Sequence, residues 1–249
     1  MTGAVFLVKI KYKILWGKTV QYKNVVEGVF ISRPNRFIAN VLVGGEEKVA
    51  HVKNTGRCRE LLVPGAKVFL SVSDNQARKT ALDLVAVEKV TDKGQILINM
   101  DSAAPNTVAA EWLGDGAIFG KGAKIKSEVT HGDSRFDFYI EKDEKRSFLE
   151  VKGVTLEEDG IVMFPDAPTE RGVKHIEGLI RLCHNGFGAY VLFVVQMSGV
   201  KYFTPNAKTH PEFAIALKKA KEAGVNILAI DTRVTENGIY YGNSVSIKL

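Results

Sequence analysis

A chain of 249 residues, 45% hydrophobic and 25% charged, has the composition of a soluble globular protein that can bury one large core or two smaller ones. Its longest apolar run, residues 189–195, is far short of the ~20 residues that cross a bilayer, and Lys9, Lys11 and Lys13 break up the apolar N-terminus, so neither a membrane span nor a signal peptide is expected. Two distant cysteines, Cys58 and Cys183, exclude a disulfide framework and a cysteine-ligated metal cluster, and the expectation is a cytoplasmic protein.

The charge is uneven. The net value is +6, but residues 1–85 hold 14 Lys/Arg against 6 Asp/Glu, while residues 86–249 hold 20 against 22. A basic N-terminal third on a balanced chain suits contact with a polyanion, most often nucleic acid, or simply keeps that part of the surface solvated.

In chain order, residues 24–31, 36–43, 46–52, 67–73 and 81–90 read as short strands. Gly44-Gly45, Asn54-Thr55-Gly56 and Pro64-Gly65 form turns between them. Five strands in so short a stretch fit a small barrel of the OB kind, and a sandwich fragment fits the periodicity nearly as well. Arg36 beside Phe37, then Lys53, Arg57, Arg59, Arg78 and Lys79, place cations and an aromatic ring in and around the turns. That mixture suits the stacked bases and phosphates of a single strand. The expected domains are residues 1–88, OB-like and nucleic-acid-binding, and residues 89–249. Residues 101–105 are turn-rich and lead into the second domain.

There, residues 105–113 read as a helix carrying Glu111, and residues 124–129 as a strand. "RFDFYIEKDEKRSFLEVKGV", residues 135–154, reads as a hairpin, with apolar and polar residues alternating on both sides of a charged connection. A two-residue turn at Asp143-Glu144 sets Asp137 opposite Glu150, with Cβ atoms about 5 Å apart on one face, and Lys152 falls on that face too. Two close carboxylates repel unless a cation sits between them. Lys152 partly meets that need and a hard divalent ion such as Mg2+ meets it better; a cross-strand salt-bridge ladder on an exposed face is the plain alternative.

Residues 168–183 form the clearest helix, with Thr169 as N-cap and an apolar stripe through Val173, Ile176, Leu179, Ile180 and Cys183. Residues 189–195 and 225–230 are continuous apolar strands of the kind buried on both faces. Between them lies a helix over residues 211–223, closed by Gly224. This alternation describes an α/β domain with a mixed sheet. The run "FPDAPTERGVKH", residues 164–175, gathers Asp166, Glu170, Arg171, Lys174 and His175 near one helix start, where free N–H groups favour phosphate. An intrahelical Glu170–Lys174 pair is the alternative reading. "GDGAIFGKGAK", residues 114–124, lacks the spacing of a phosphate loop and reads as a turn. No histidine or cysteine set has zinc spacing, and no hydrolase elbow is present.

Taken together, "RPNRFIANV", "HVKNTGRCREL", "PGAKVFLSVSDN", "RFDF", "LEVKGVTL" and "FPDAPTERGVKH" resemble the sugar fermentation stimulation protein A family. The resemblance implies an α+β two-domain chain: an N-terminal OB-like small β-barrel followed by a PD-(D/E)XK nuclease-like α/β domain with a mixed sheet. It also implies DNA binding. Asp137, Glu150 and Lys152 match the nuclease signature position by position, and Glu111 looks like the helical acid of that superfamily. The implied metal ligands are Asp137, Glu150 and Glu111, with the Val151 carbonyl as a further one, around Mg2+ or Mn2+. Lys152 would position the attacking water, and Arg171 and Lys174 join the nucleic-acid-binding set. Arg57 and Cys58 depart from members with a small residue and Met after Asn-Thr-Gly, and the arginine favours phosphate contact. A metal-dependent nuclease is therefore the expected function. The alternatives are a non-catalytic DNA-binding regulator on the same scaffold, linked to sugar metabolism, and a metabolic protein with a ligand-sized polar pocket.

Overall fold

The computed structural model describes residues 20–249 apart from Thr55, Gln76 and Lys93. Lys9, Lys11 and Lys13, and the reading of the N-terminus that rests on them, lie outside the described residues.

A two-residue strand, β1 (Val20–Gln21), is followed by β2 (Val25–Asn35), β3 (Ile38–Val43), β4 (Glu46–Val52), β5 (Lys67–Val72) and β6 (Leu82–Thr91). The last five run antiparallel in the order β4-β3-β2-β5-β6, and β4 then pairs parallel with β6 from Ala50↔Leu82 to Val52↔Leu84. That pairing closes the sheet into a barrel and decides against a sandwich, because closure leaves no exposed edge. Gly44 and Gly45 both have positive φ, the turn geometry whose twist suits a two-residue hairpin. A strand that periodicity did not mark, β7 (Gly94–Asn99), extends β6 from Thr91↔Gly94 to Ala86↔Asn99. The expected division after residue 88 thus falls inside β6, and the barrel sheet continues to Asn99.

Helix α1 (Ala104–Gly114) comes next, with Pro105 in its first turn, where a missing N–H costs nothing. The hairpin follows β8 (Lys124–His131) as β9 (Ser134–Lys142) and β10 (Lys145–Val154). Two short strands, β11 (Leu156–Glu158) and β12 (Ile161–Phe164), lead to α2 (Glu170–His184), β13 (Gly188–Val195), β14 (Tyr202–Pro205), α3 (Pro211–Glu222), β15 (Asn226–Thr235) and β16 (Gly238–Ser244). Among the described residues the main sheet has the order β1-β16-β15-β13-β10-β9-β8, with β10, β13 and β15 parallel at its centre. The short strands β11, β12 and β14 form a separate sheet. They are too brief to show periodicity, and β16 is half polar, so none of the four was legible beforehand.

The two faces of the main sheet carry different cores. On one, α1 buries Val108, Ala109 and Leu113 against Phe138, Leu149, Val151 and Leu192. On the other, α2 and α3 bury Ile176, Leu179, Phe213 and Leu217 against Phe136, Phe148, Val191 and Phe193, and this cluster runs unbroken into the barrel through Phe30, Val41, Cys58 and Leu84. The barrel and the α/β domain therefore share one core. Polar contacts reinforce the seam: Lys89 Nζ lies 2.6 Å from Glu157 Oε2, and Ser102 Oγ donates to the Lys53 carbonyl at 2.6 Å.

Candidate active site

The hairpin has the register that a turn at Asp143-Glu144 dictates. Both turn residues have positive φ, and pairing runs from Lys145↔Lys142 to Leu149↔Phe138. The next pair in that register is Glu150 and Asp137. There the side chain of Asp137 takes over from the backbone ladder: its Oδ2 accepts the Val151 N–H at 2.7 Å. A carboxylate substituted for a carbonyl parts the strands, and both acids stand where the sheet opens.

Their surroundings differ. Asp137 also accepts from Asn106 Nδ2 on α1 at 2.7 Å. Burial, then the Glu150 charge, push the Asp137 carboxyl up, and the two hydrogen bonds and Lys152 only partly offset this. Glu150 is 3% exposed. Burial pushes its carboxyl up too, but the hydrogen bond from His175 and the charge and hydrogen bond of Lys152 outweigh it, so Glu150 is held below the usual carboxylate range. Lys152 Nζ lies 2.6 Å from Glu150 Oε1, and His175 Nδ1 bonds the same oxygen. Glu150 Oε2 is buried with no hydrogen-bond partner. An ionised oxygen in that state is costly unless something positive completes it.

Carboxylate oxygens are the donors a hard divalent cation takes, and an orphaned one beside a second acid fits such an ion. Among the described residues no three of His, Cys, Asp and Glu converge as a ready-made cage. The protein share is thus the Asp137–Glu150 pair, which matches an ion that keeps most of its shell for water and phosphate. Glu111 does not complete a third position in that group. The residue that α1 brings to Asp137 is Asn106, and Glu111, five residues on, lies about 140° further round the helix. The Glu111 charge instead acts on Tyr241 of β16, whose hydroxyl is pushed up first by its hydrogen bond to Asp115.

Helix α1 reaches the site because Gly153 lets it. A Cβ there would lie 2.6 Å from Gln196 Oε1 and 2.8 Å from Pro105 Cγ. Gln196 in turn donates to the carbonyls of Asn99 and Asp101 and so ties β13 to the start of α1. Helix α2 comes as close on the other face, where a Cβ on Gly178 would meet Phe136 Cζ at 3.1 Å. Thr169 caps α2 as expected, its Oγ1 accepting from Gly172 N at 3.0 Å.

In the barrel, Arg33 donates to the carbonyls of Asn54, Gly56, Arg57 and Arg36 at 2.7–3.0 Å and so holds these backbone positions together. The Arg57 N–H donates to Asp166 Oδ2 at 2.8 Å, just before α2, and Cys58 Sγ meets Thr155 Oγ1 beyond the end of β10. Lys53 is paired with Asp101 just before α1. Of the expected nucleic-acid residues, Lys53 is thus tied to the segment before α1 and the Arg57 backbone to the segment before α2, the helices that carry Asn106 and His175. Arg36 stacks 4.7 Å over Phe37, both at the β2–β3 turn, and Arg59 is exposed nearby in sequence. Arg78 is held bidentately by Asp83 at 2.6 and 2.7 Å, with exposed Lys79 beside it. On α2, Arg171 Nε lies 3.4 Å from His175 Nε2, and Lys174 turns to Asp133, at 3.5 Å, rather than to Glu170.

Residues 31–98 match the SfsA N-terminal OB domain, and residues 103–238 match the sugar fermentation stimulation protein RE domain. The chain belongs to the sugar fermentation stimulation protein family. A relative from Desulfitobacterium hafniense (strain Y51), named as a homolog of that protein, is 54% identical over 230 residues, which is 92% of this chain and 99% of the relative. Another from Clostridium beijerinckii is 52% identical over 230 residues, covering 92% and 100% of the two chains. The solved structure of Pyrococcus furiosus SfsA in complex with Ca2+ superposes with a TM-score of 0.79 at 28% identity, covering 94% of this chain and all of that one. The OB barrel followed by the RE domain is thus the fold of this family member.

Three contributors to this site, Asn106, Arg33 and Gln196, are not marked by the sequence, and His175, placed by it near the start of a helix, takes a partner there that was not expected, Glu150. His175 carried a usable signal. It sits between Gly172 and Leu179 on the buried face of α2, and a polar residue on such a face needs a partner. Asn106, Arg33 and Gln196 act through elements far away in the chain, and nothing in their local pattern marks them.

Proposed function

We propose that this family member is a Mg2+- or Mn2+-dependent nuclease that hydrolyses phosphodiester bonds in DNA. The observation that carries the reading is the division of labour within Glu150: Oε1 is taken by Lys152 and His175, while Oε2 is buried and unpartnered, on a carboxylate whose charge acts on Asp137. The Ca2+ held by the P. furiosus relative supports a divalent cation here. When bound, such an ion neutralises charge on the phosphate and lowers the pKa of a coordinated water. Asp137 and Glu150 would hold it, and Lys152 would orient the attacking water. Asn106 and the Val151 N–H keep Asp137 aimed from the opposite face of the sheet.

The barrel fits the role of strand holder. Outward on β3 and β4 lie Leu42 and Val49, 40% and 50% exposed, and then His51 beside Asp83 and Arg78. The row continues to Phe37, Arg36 and Lys53, the last paired with Asp101 just before α1. Apolar and aromatic surface between cations is what stacked bases and phosphates need. A second reading, a non-catalytic DNA-binding regulator, draws on the absence of a third acid at the pair among the described residues.

Cleavage and binding over single-stranded, duplex and branched DNA and RNA test both, with wild type, Asp137→Asn and Lys152→Ala in Mg2+, Mn2+ or chelator. The nuclease reading expects cutting that needs the metal and vanishes in both variants while binding persists in chelator. Salt-sensitive binding with no cutting under any metal overturns it in favour of the regulator.

A further inference from the structure

His175 is only 8% exposed, yet its ring touches charged groups on both sides. Nδ1 bonds Glu150 Oε1, and Nε2 lies 3.4 Å from Arg171 Nε. A guanidinium nitrogen only donates. His175 Nε2 must therefore accept from Arg171, which leaves the ring proton on Nδ1, pointing at Glu150. Lys152 donates to that same oxygen at 2.6 Å. Oε1 is saturated by two protein donors, and Oε2 has none. Helix α2 can bring the imidazole this close because Gly178 packs on Phe136, whose ring also flanks His175 at 6.5 Å.

We infer that His175 is a positioning residue for the divalent cation. By anchoring Oε1 through Nδ1–H, it fixes the Glu150 carboxylate in the one orientation that leaves Oε2 for the ion, with Arg171 holding the tautomer. The inference rests on the metal-binding reading above and adds that the acid pair by itself, with Lys152, is insufficient for tight binding. Partners of this kind typically contribute 10–100-fold in metal affinity.

The test measures binding of Mn2+ alone, without nucleic acid, by calorimetry and by the spin-resonance signal of free Mn2+. Wild type is compared with Glu150→Gln, His175→Ala, His175→Asn and His175→Gln. The Asn amide nitrogen can take the place of Nδ1, whereas the Gln amide nitrogen reaches the place of Nε2. Expected are loss of binding in Glu150→Gln, weakening by about 10–100-fold in His175→Ala and His175→Gln, and recovery of most of the affinity in His175→Asn. If His175→Ala does not fold, as read by far-UV circular dichroism, the contrast between Asn and Gln decides. Wild-type affinity in the Ala or Gln variant, or equal affinity in Asn and Gln, overturns the positioning role and leaves the metal reading intact. Absence of Mn2+ binding in wild type, or binding that Glu150→Gln does not disturb, overturns the metal reading itself and the inference with it.

Discussion

Asp137 and Glu150 are neighbours in register, yet the protein treats their charges in opposite ways. Glu150 is stabilised as an anion by His175 and Lys152. Asp137 has two neutral donors, and burial and its acidic neighbour raise its pKa. Because the folded state binds the Asp137 proton more tightly than the unfolded chain does, this group's contribution to stability falls as pH rises above its ordinary 3.8. At pH 7 the ionised Asp137 is therefore a cost when no cation is bound. In Asp137→Asn, the amide oxygen still accepts from Val151 N–H, and Asn106 can turn its own amide to accept from the new NH2 group. In chelator at pH 7 the variant is expected to unfold at a higher temperature than wild type. Added Ca2+ should raise the wild-type midpoint and leave the variant unchanged, as differential scanning calorimetry will show.

At the scale of elements, the site exists because two helices approach one pair of strands from opposite faces, at glycines. Gly153 admits the start of α1, and Gly178 admits α2. The ladder between β9 and β10 stops where Asp137 replaces a backbone acceptor, so strand splay and acid placement are one event. Gly153→Ala puts a methyl group against the Pro105 ring and the Gln196 amide, neither of which can yield without moving α1 or breaking the bonds to Asn99 and Asp101. Overpacking of this kind costs about 1–3 kcal/mol. A drop of that size is expected in urea unfolding, together with loss of metal-dependent stabilisation, because Asn106 moves with the helix. Unchanged stability would mean that α1 shifts freely and does not fix the geometry of Asp137.

Across the whole molecule, the barrel and the α/β domain share one core, and Arg57 and Cys58 of the barrel meet Asp166 and Thr155 of the α/β domain. Arg33 and Asp166 fix the Arg57 backbone from either domain, while the Arg57 side chain is exposed. A cation on a fixed loop meets phosphate with little loss of conformational freedom, and each such contact steepens the salt dependence of binding. Arg57→Ala should reduce the slope of log K against log salt by about 1, whatever the base sequence. Fluorescence anisotropy on one oligonucleotide from 50 to 200 mM salt, a range over which phosphate contacts dominate, is sufficient to see it. An unchanged slope would mean that Arg57 makes no phosphate contact.

Features that depend on local periodicity and turn chemistry were legible in the chain. The two-residue turn at Asp143-Glu144 set the hairpin register, Thr169 marked the start of α2, and the apolar runs of β13 and β15 announced a buried parallel centre. Five barrel strands were legible for the same reason: alternation and turn residues act over a few neighbours. Only the tertiary structure decided what depends on packing between distant elements. Closure of β4 on β6 made the barrel, which a sandwich fragment fitted nearly as well in periodicity, β7 joined a sheet that its own residues did not announce, and α1 turned Asn106 rather than Glu111 toward Asp137. His175 found Glu150, and Arg33 found the carbonyls of Asn54, Gly56 and Arg57, across 25 and 21–24 residues of chain. Periodicity says which face of an element is buried; which side chain on the neighbouring element meets it is settled by close packing, where glycines at two crossings set the distance.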